Sequence, residues 1–577
     1  MVFEAGKPVI VQSDSTVLLE VDSAKFEEAR DCLAGFAELV KSPEHIHTYR
    51  ITPLSLWNAA SAGLDADTIL EGLRQYSRFA IPENIEVEIQ SAIERYGKIV
   101  LCKEEDELIL FSEDPLLITE ILSTRSLKSF LLEKRDANRI AVNPMSRGHV
   151  KQALIRLGFP VKDVAGYVQG APLDFWLRER SLQSQSFGLR HYQEESVRAF
   201  YRKGSIEGGS GVIVLPCGAG KTIVGLGVMA QVRSRTLILV TNVIALRQWA
   251  DEIVDKTNIT REMIAEYSGE SKTLGPITIA TYQILTWRKK KGDPFPHFSL
   301  FNAENWGLII YDEVHLLPAP VFRITAEIQA RRRLGLTATL VREDGLEEDV
   351  FSLIGAKRYD VPWKTLEHQG WIATAICHEL RVPMEESVRL QYATSAWRRK
   401  YRVASENPLK RSVVRALLKR HQADNVLIIG QYLDQLRKIA LEFDAPLITG
   451  STPNSERRRL YDAFRREEIK RLVVSKVANF AIDLPDANVA IQVSGTFGSR
   501  QEEAQRLGRI LRPKKGGVPA HFYSVVTKNS RDQEFAANRQ LFLTEQGYKY
   551  LIRNWEESRN VAQNSTPGDG RTGASQE

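Results

Sequence analysis

The sequence predicts an α/β protein: two tandem domains with parallel sheets, preceded by a mixed α+β amino-terminal region. Three observations carry that expectation. An apolar run, Gly211-Val-Ile-Val-Leu215, enters a small-residue loop and is followed by a helix-forming stretch from Ile223 to Ala230. From Leu189 onward, strand-like runs alternate with helix-like ones: Thr236-Leu-Ile-Leu-Val240, Ile277-Thr-Ile-Ala280 and Leu308-Ile-Ile-Tyr311. The same texture restarts after about residue 370, with Asn425-Val-Leu-Ile-Ile429, Arg471-Leu-Val-Val474 and Val489-Ala-Ile-Gln-Val493. Short apolar runs alternating with helical ones are the signature of βαβ units and buried parallel strands.

Composition sets the outer bounds. At 577 residues the chain exceeds a single core, and length alone suggests about three or four domains. Charged residues at 26% and hydrophobic ones at 43% describe a soluble globular protein. A net charge of +6 permits nucleic-acid binding without requiring it. No apolar run approaches the ~20 residues of a membrane span. The start, Met1-Val-Phe-Glu-Ala-Gly-Lys7, lacks a signal pattern. Cys32, Cys102, Cys217 and Cys377 are scattered, which argues against zinc modules, iron–sulfur clusters and disulfide frameworks and for a reducing cytoplasm. The ten histidines show no metal-ligand spacing, and His45 and His47 read as polar surface.

In order, residues 1–130 read as an adaptor domain. Val17-Leu-Leu-Glu-Val21 is a strand, and 24–39 and 54–76 are amphipathic helices, the first entered through Asp22 and Ser23 as caps. No chemistry motif falls here. Residues 131–187 form a small accessory unit and linker, with a helix over 146–157 that carries Arg147, Lys151 and Arg156 and a polar run, Ser181-Leu-Gln-Ser-Gln-Ser-Phe187. The two α/β domains occupy 188–368 and 369–556, and 557–577 is a polar, disordered tail.

The chemistry begins in the loop Leu215-Pro-Cys-Gly-Ala-Gly-Lys-Thr222. Gly218 and Gly220, with Ala219 between them, let backbone N–H groups turn inward around an anion, and the helix from Lys221 adds its positive end. In such a loop Lys221 reaches the β- and γ-phosphates and the Thr222 hydroxyl binds Mg²⁺. The general pattern asks for glycine where Leu215 stands. Asp312 and Glu313 follow the apolar run ending at Tyr311. At a strand end near a phosphate loop, Asp312 suits Mg²⁺ and Glu313 suits orienting and deprotonating a water. Gly335-Leu-Thr-Ala-Thr339 places hydroxyls where a γ-phosphate can be sensed. In Gln505-Arg-Leu-Gly-Arg-Ile-Leu-Arg512, Arg509 and Arg512 share a helix face. Arginines reaching a γ-phosphate are worth ~10³ to 10⁵ in rate.

Together these residues resemble superfamily 2 helicases, and more closely the bacterial form of the xeroderma pigmentosum group B (XPB) type of DNA helicase. The resemblance rests on the phosphate loop, on Ile310-Tyr-Asp-Glu-Val-His-Leu-Leu-Pro318, on Arg342-Glu-Asp344, on Ser475-Lys-Val-Ala-Asn-Phe-Ala-Ile-Asp-Leu-Pro485 and on Glu503-Ala-Gln-Arg-Leu-Gly-Arg-Ile-Leu-Arg-Pro513. It covers about 190 to 555 strongly and the amino-terminal region weakly, and Leu215 fits the family. It implies two RecA-like P-loop domains holding ATP and Mg²⁺ between them. It also implies that Arg190 and Gln193 form the adenine-reading element, that Gln505 joins the nucleotide set, and that Asp483 is a ribose- or coupling-side acid. Thr241, Thr281 and Ser451 match positions contacting the DNA backbone, a task suited to short hydroxyls because they bond phosphates without reading bases. Arg342, Glu343 and Asp344 mark the subfamily. So does an insertion over about 391–421, resembling the family's thumb, with Arg398, Arg399, Lys400, Arg402, Lys410, Arg411, Arg415, Lys419 and Arg420 against Glu406 alone. Trp397, Tyr392 and Tyr401 are interleaved. Basic groups track a phosphate backbone while aromatic faces stack on bases.

The expected activity is ATP-dependent unwinding of DNA; the resemblance implies 3′ to 5′ polarity and a place in DNA repair. The expected partners are single-stranded and forked DNA, with a nuclease or repair complex, in the cytoplasm and away from membranes. An RNA helicase, a duplex translocase without strand separation and a DNA-binding scaffold with a relic ATPase are the alternatives. The Asp-Glu-Val-His and Arg-Glu-Asp stretches point to DNA, and the full set of catalytic residue types speaks against the scaffold.

Overall fold

The structure is a computed structural model. It describes all residues except 1–3, 5, 42–44, 217, 291–292, 330, 339–346, 362, 372, 476–486, 496–518, 546–547, 549 and 556–577. The chain divides into two compact units, Met1–Gln369 and Gly370–Glu577. No helix among the described residues is long and apolar enough to cross a membrane.

The first unit opens with a four-stranded antiparallel sheet in the order Val9–Val11, Thr16–Glu20, Ile46–Arg50, Glu38–Lys41. Val17, Leu19, Leu33, Tyr49, Leu70 and Ile85 share its core with the surrounding helices. The helix expected over 24–39 is shorter, Phe26–Ala34, because the residues after Gly35 are claimed by cross-strand pairing of Glu38 with Arg50 and Leu39 with Tyr49. The stretch 54–76 is two helices, Pro53–Ala62 and Ala66–Tyr76, broken where Gly63 takes φ +102°.

A second sheet runs Leu131–Lys134, Arg139–Val142, Glu107–Phe111, Ile99–Glu104, Val161–Asp163. The boundary expected at 130 therefore cuts through a sheet. Glu107–Phe111 pairs with Arg139–Val142, an association that local hydropathy does not encode. The helix Arg147–Arg156 packs this layer onto the first α/β domain. Gly148 lies so close to Ala326 that a β-carbon would sit 2.5 Å from its backbone. Lys151 Nζ donates to Gln329 Oε1 at 2.5 Å and to Asp163 at 2.9 Å. Asn58 accepts from the Lys357 N–H at 3.1 Å.

The first α/β sheet is fully parallel, in the order Ile264–Tyr267, Ile277–Thr281, Thr236–Val240, Leu308–Asp312, Arg332–Thr337, Ser210–Val214, Lys357–Asp360. Its central strands are buried on both faces, as helices on either side require. The carboxyl ends of the strands ending at Thr281, Val240 and Asp312 are therefore neighbours, and the phosphate-loop strand lies two strands beyond.

The second unit repeats the plan. Its seven parallel strands run Leu447–Ile448, Arg471–Ser475, Val426–Gly430, Val489–Gln492, Ala520–Thr527, Ala375–Val382, Tyr550–Asn554. Three helices, Glu386–Thr394, Trp397–Ser405 and Leu409–Arg420, occupy the expected insertion. Three histidines distant in sequence converge on the sheet. His378 Nε2 lies 3.3 Å from His521 Nδ1, and His421 lies 2.8 Å from both Asp424 and the Tyr523 hydroxyl. Among the described residues no histidine, cysteine or acid cluster is arranged to hold a metal.

Candidate active site

The phosphate loop links the strand Ser210–Val214 to the helix Lys221–Val232. Gly218 and Gly220 take φ +84° and +81°, left-handed values that side chains resist. At Gly220 a β-carbon would also meet Gln193 Nε2 at 2.7 Å. The Ala219 carbonyl accepts from Gln193 Nε2 at 3.0 Å and from the Tyr192 hydroxyl at 2.7 Å. The Arg190 N–H donates to Gln193 Oε1 at 3.0 Å, and the Arg190 guanidinium donates to the Tyr192 hydroxyl at 3.1 Å. The amide of Gln193, expected on the adenine, is thus engaged with the loop itself in this structure. Thr222 stands half-buried in the first turn of the helix.

Lys221 Nζ donates to Glu313 Oε1 at 2.8 Å, with side chains 12% and 18% exposed. Glu313 holds a left-handed backbone, φ +51° and ψ 54°, which costs about 1–3 kcal/mol for a residue with a side chain. That twist turns the chain out of the sheet immediately after Asp312. The Glu313 N–H donates back to Asp312 Oδ1 at 3.0 Å, and the Trp249 indole donates to Asp312 Oδ2 at 2.9 Å. Burial first, then the adjacent Glu313 charge, holds the Asp312 carboxyl above the ordinary carboxylate range, against the pull of Lys221 and Trp249. His315 Nδ1 lies 2.6 Å from the Thr337 hydroxyl and 3.5 Å from Glu313 Oε2. The strand carrying Gly335 and Thr337 is thereby connected to Glu313. Thr222 and Asp312 both offer oxygen, the donor type a hard divalent cation takes, and a cation there would balance the adjacent Asp312 and Glu313. The residues fit Mg²⁺ in kind and charge.

Arg342, Glu343, Asp344, Asp483, Gln505, Arg509 and Arg512 lie outside the described residues. Thr241 is half-buried, its hydroxyl accepting from Asn242 Nδ2 at 3.0 Å. Thr281 is more enclosed. It is 3% exposed and its hydroxyl accepts from the Ile284 N–H at 3.4 Å, capping the turn into the helix Tyr282–Leu285. Ser451 is exposed, 2.9 Å from the Thr449 hydroxyl.

The basic insertion also reads differently in three dimensions. Lys410 is buried and bonded to Asp532 at 2.6 Å and the Val493 carbonyl at 2.8 Å, so it belongs to the core. Arg402 pairs with Glu406 and Asp434, and Arg411 and Arg415 share Glu442. Tyr401 is buried, donating to the Gly495 carbonyl. Sequence shows only Glu406 nearby, because the other acids come from elements outside the insertion. Arg398, Arg399, Lys419 and Arg420 are exposed, and Lys400 lies over the Tyr392 ring at 5.3 Å. Trp397 is exposed with the Arg531 guanidinium 3.7 Å from its ring centre. Trp249, Tyr282 and His315 are site residues that sequence reading gives no role. His315 alone carried a signal, its place in the Asp-Glu-Val-His stretch.

Family comparison extends these local features over the whole chain. The chain is 54% identical over 95% of its length to the DNA 3′-5′ helicase XPB of Mycobacterium tuberculosis, of which it covers 98%. The chain belongs to the XPB family. The DNA 3′-5′ helicase XPB of Kineococcus radiotolerans is likewise 54% identical, with 94% of this chain and 96% of that protein covered. A third XPB relative, the general transcription and DNA repair factor IIH helicase/translocase subunit of Enterocytozoon bieneusi, is 33% identical, with 94% and 92% covered. The ERCC3/RAD25/XPB C-terminal helicase model matches residues 366–567. The model for the type III restriction enzyme res subunit matches 186–342, the stretch holding the phosphate loop and the Asp312–Glu313 pair. A helicase conserved C-terminal domain model matches 9–136. XPB membership thus extends over the amino-terminal region, where no chemistry motif was found.

Proposed function

We propose that this protein is an ATP-dependent DNA helicase that moves 3′ to 5′ and serves DNA repair. The observation that carries the reading is the Lys221–Glu313–Asp312 arrangement at the mouth of a glycine loop, in a chain 54% identical over nearly its whole length to helicases of that polarity. An RNA helicase is not favoured by these relatives.

The residues divide the work. Backbone N–H groups of the loop bind the phosphates of ATP, and Lys221 leaves Glu313 to reach them. Thr222 and Asp312 would hold Mg²⁺, which supplies charge neutralisation on the phosphate oxygens. Glu313, released from Lys221, orients and deprotonates the attacking water. Arg509 and Arg512 donate to the γ-phosphate, and Arg190, Gln193, Gln505 and Asp483 complete the nucleotide set. His315 and Thr337 relay the loss of the γ-phosphate from Glu313 to the strand that leads to Arg342, Glu343 and Asp344. Thr241, Ser451, Arg398, Arg399 and Lys400 hold the DNA backbone without reading bases. A nuclease or repair assembly is the proposed partner.

Partial duplexes with either a 3′ or a 5′ single-stranded tail test the reading. With ATP, strands should separate from the 3′-tailed substrate, and DNA should stimulate ATP turnover more than RNA. Equal unwinding from both tails would refute the polarity, and turnover with no strand separation would leave a duplex translocase.

A further inference from the structure

Asp312 is held from two sides, and both belong to elements that meet at Thr241. Trp249 lies on the second turn of the helix Val243–Lys256 and donates its indole N–H to Asp312 Oδ2 at 2.9 Å. Tyr282 opens the short helix Tyr282–Leu285 and donates its hydroxyl to the Asp312 backbone carbonyl at 2.9 Å. Thr241 closes the circuit. Its carbonyl accepts from the Gln283 side chain, and its hydroxyl accepts from Asn242 Nδ2. Asn242 in turn caps the Trp249 helix, accepting from the N–H groups of Ile244 and Ala245 at 3.0 Å.

The indole is also wedged. A β-carbon at Gly225, on the phosphate-loop helix, would lie 2.4 Å from Trp249 Cη2. A shift of the helix Val243–Lys256 therefore carries the indole with it, against both the phosphate-loop helix and the Asp312 carboxylate. The carboxylate cannot turn alone, because its other oxygen accepts from the Glu313 N–H at 3.0 Å. A displacement at Thr241 reaches the plane of Asp312 and the backbone of Glu313 through rigid, close-packed parts.

We propose that Trp249 is the positioning residue through which DNA held at Thr241 sets the Asp312 carboxylate, with Tyr282 fixing the backbone of the same residue. The inference rests on the helicase reading above. It makes the nucleotide-dependence of DNA affinity a property of one indole N–H. Coupling between two sites is reciprocal for binding free energies, so it can be read from DNA affinity with no hydrolysis at all.

The test uses the full chain and Trp249→Phe, which keeps a ring against Gly225 and removes the N–H. Affinity for a single-stranded oligonucleotide is measured with and without Mg²⁺ and a non-hydrolysable ATP analogue, beside ATP turnover at rising DNA. In the parent, coupling should lie in the usual range of about 5- to 150-fold. In Trp249→Phe that ratio should fall toward one, with nucleotide-free DNA affinity unchanged, the half-stimulating DNA concentration moved to match it, and the maximal stimulated rate lowered. Tyr282→Phe should move the ratio the same way, and it decides the matter if Trp249→Phe fails to fold. A parental ratio in both variants overturns the inference. So does a lower melting temperature with equal loss of unstimulated and stimulated turnover, which would make Trp249 a core residue only. If the parent shows neither DNA-stimulated turnover nor nucleotide-dependent DNA affinity, the helicase reading itself falls and the inference with it. A coupled parent with a coupled Trp249→Phe overturns the role of Trp249 alone.

Discussion

Replacing Glu313 with glutamine separates restraint from chemistry. In the structure, Lys221 donates to the Glu313 carboxylate at 2.8 Å, with both side chains more than four-fifths buried. ATP must take Lys221 away from that partner. A hydrogen bond involving a charged group contributes about 1.5–3 kcal/mol net. Glutamine keeps the shape and an acceptor oxygen but loses its own charge while Lys221 keeps its own, so the hold on Lys221 falls from the upper toward the lower end of that range, a loss of up to about 1.5 kcal/mol. At 1.4 kcal/mol per decade, ATP should bind Glu313→Gln more tightly, by up to roughly 12-fold. Removing the neighbouring charge also eases the upward push on the Asp312 carboxyl, so cation holding is not weakened. Turnover loses its general base, a loss of ~10²- to 10⁴-fold. Equilibrium titration with a fluorescent ATP analogue and single-turnover hydrolysis on DNA measure the two effects. Weaker nucleotide binding would refute the reasoning, since Glu313 would then be serving the metal or the fold. Hydrolysis at the parental rate would remove it as the base.

Alanine at Arg398, Arg399 and Lys400 should weaken single-strand binding regardless of sequence and flatten the salt slope by ~0.7 per lost contact, about 2 in all. An unchanged slope means that these side chains are solvated surface. Alanine at Arg342, Glu343 and Asp344 should leave DNA-stimulated ATP turnover largely intact while unwinding of a fork collapses. Parallel loss of both rates would show that this stretch serves turnover and not strand separation alone. Burial, then the neighbouring His521, pushes the His378 imidazole from 6.5 down to about 4, with Arg420, Arg553 and His421 adding to the effect. The folded value lies below the unfolded one, so stability is fully present above 6.5 and is lost as pH falls toward about 4. The melting temperature of His378→Phe should fall less steeply across that window than the parent's. Equal slopes would show that His378 does not drive the loss.

The sequence made the phosphate loop, the strand-end acids and the doubled α/β plan readable because each depends on residues close together in the chain. Gly218, Gly220, Lys221 and Thr222 declare their chemistry by spacing alone. The rest required distant pairings. Trp249 meets Asp312 across 63 positions, and nothing near Trp249 announces an acceptor. Lys410 counts as a cation in the insertion until Asp532, 122 positions on, neutralises it inside the core. Thr281 matches a DNA-contact pattern, and its hydroxyl caps the turn into the helix Tyr282–Leu285. The split of 54–76 into two helices was nearer to hand, since Gly63 is a left-handed stop visible in the sequence.

The seam between Arg147–Arg156 and the first α/β domain bears on how this lineage can change. Gly148 and Ala326 share a space with no room for a methyl group, Lys151 closes on Gln329, and Asn58 meets the Lys357 backbone. Exchanging amino-terminal regions between family members would therefore have to keep these partners matched, although a polar linker at 181–187 invites the cut. A homologue with any residue larger than glycine at 148 must carry a retracted backbone around 326. Positions 151 and 329 should drift together through descent, as touching pairs do. A swap that respects the linker but ignores these partners would inherit a misfit seam in an otherwise complete motor.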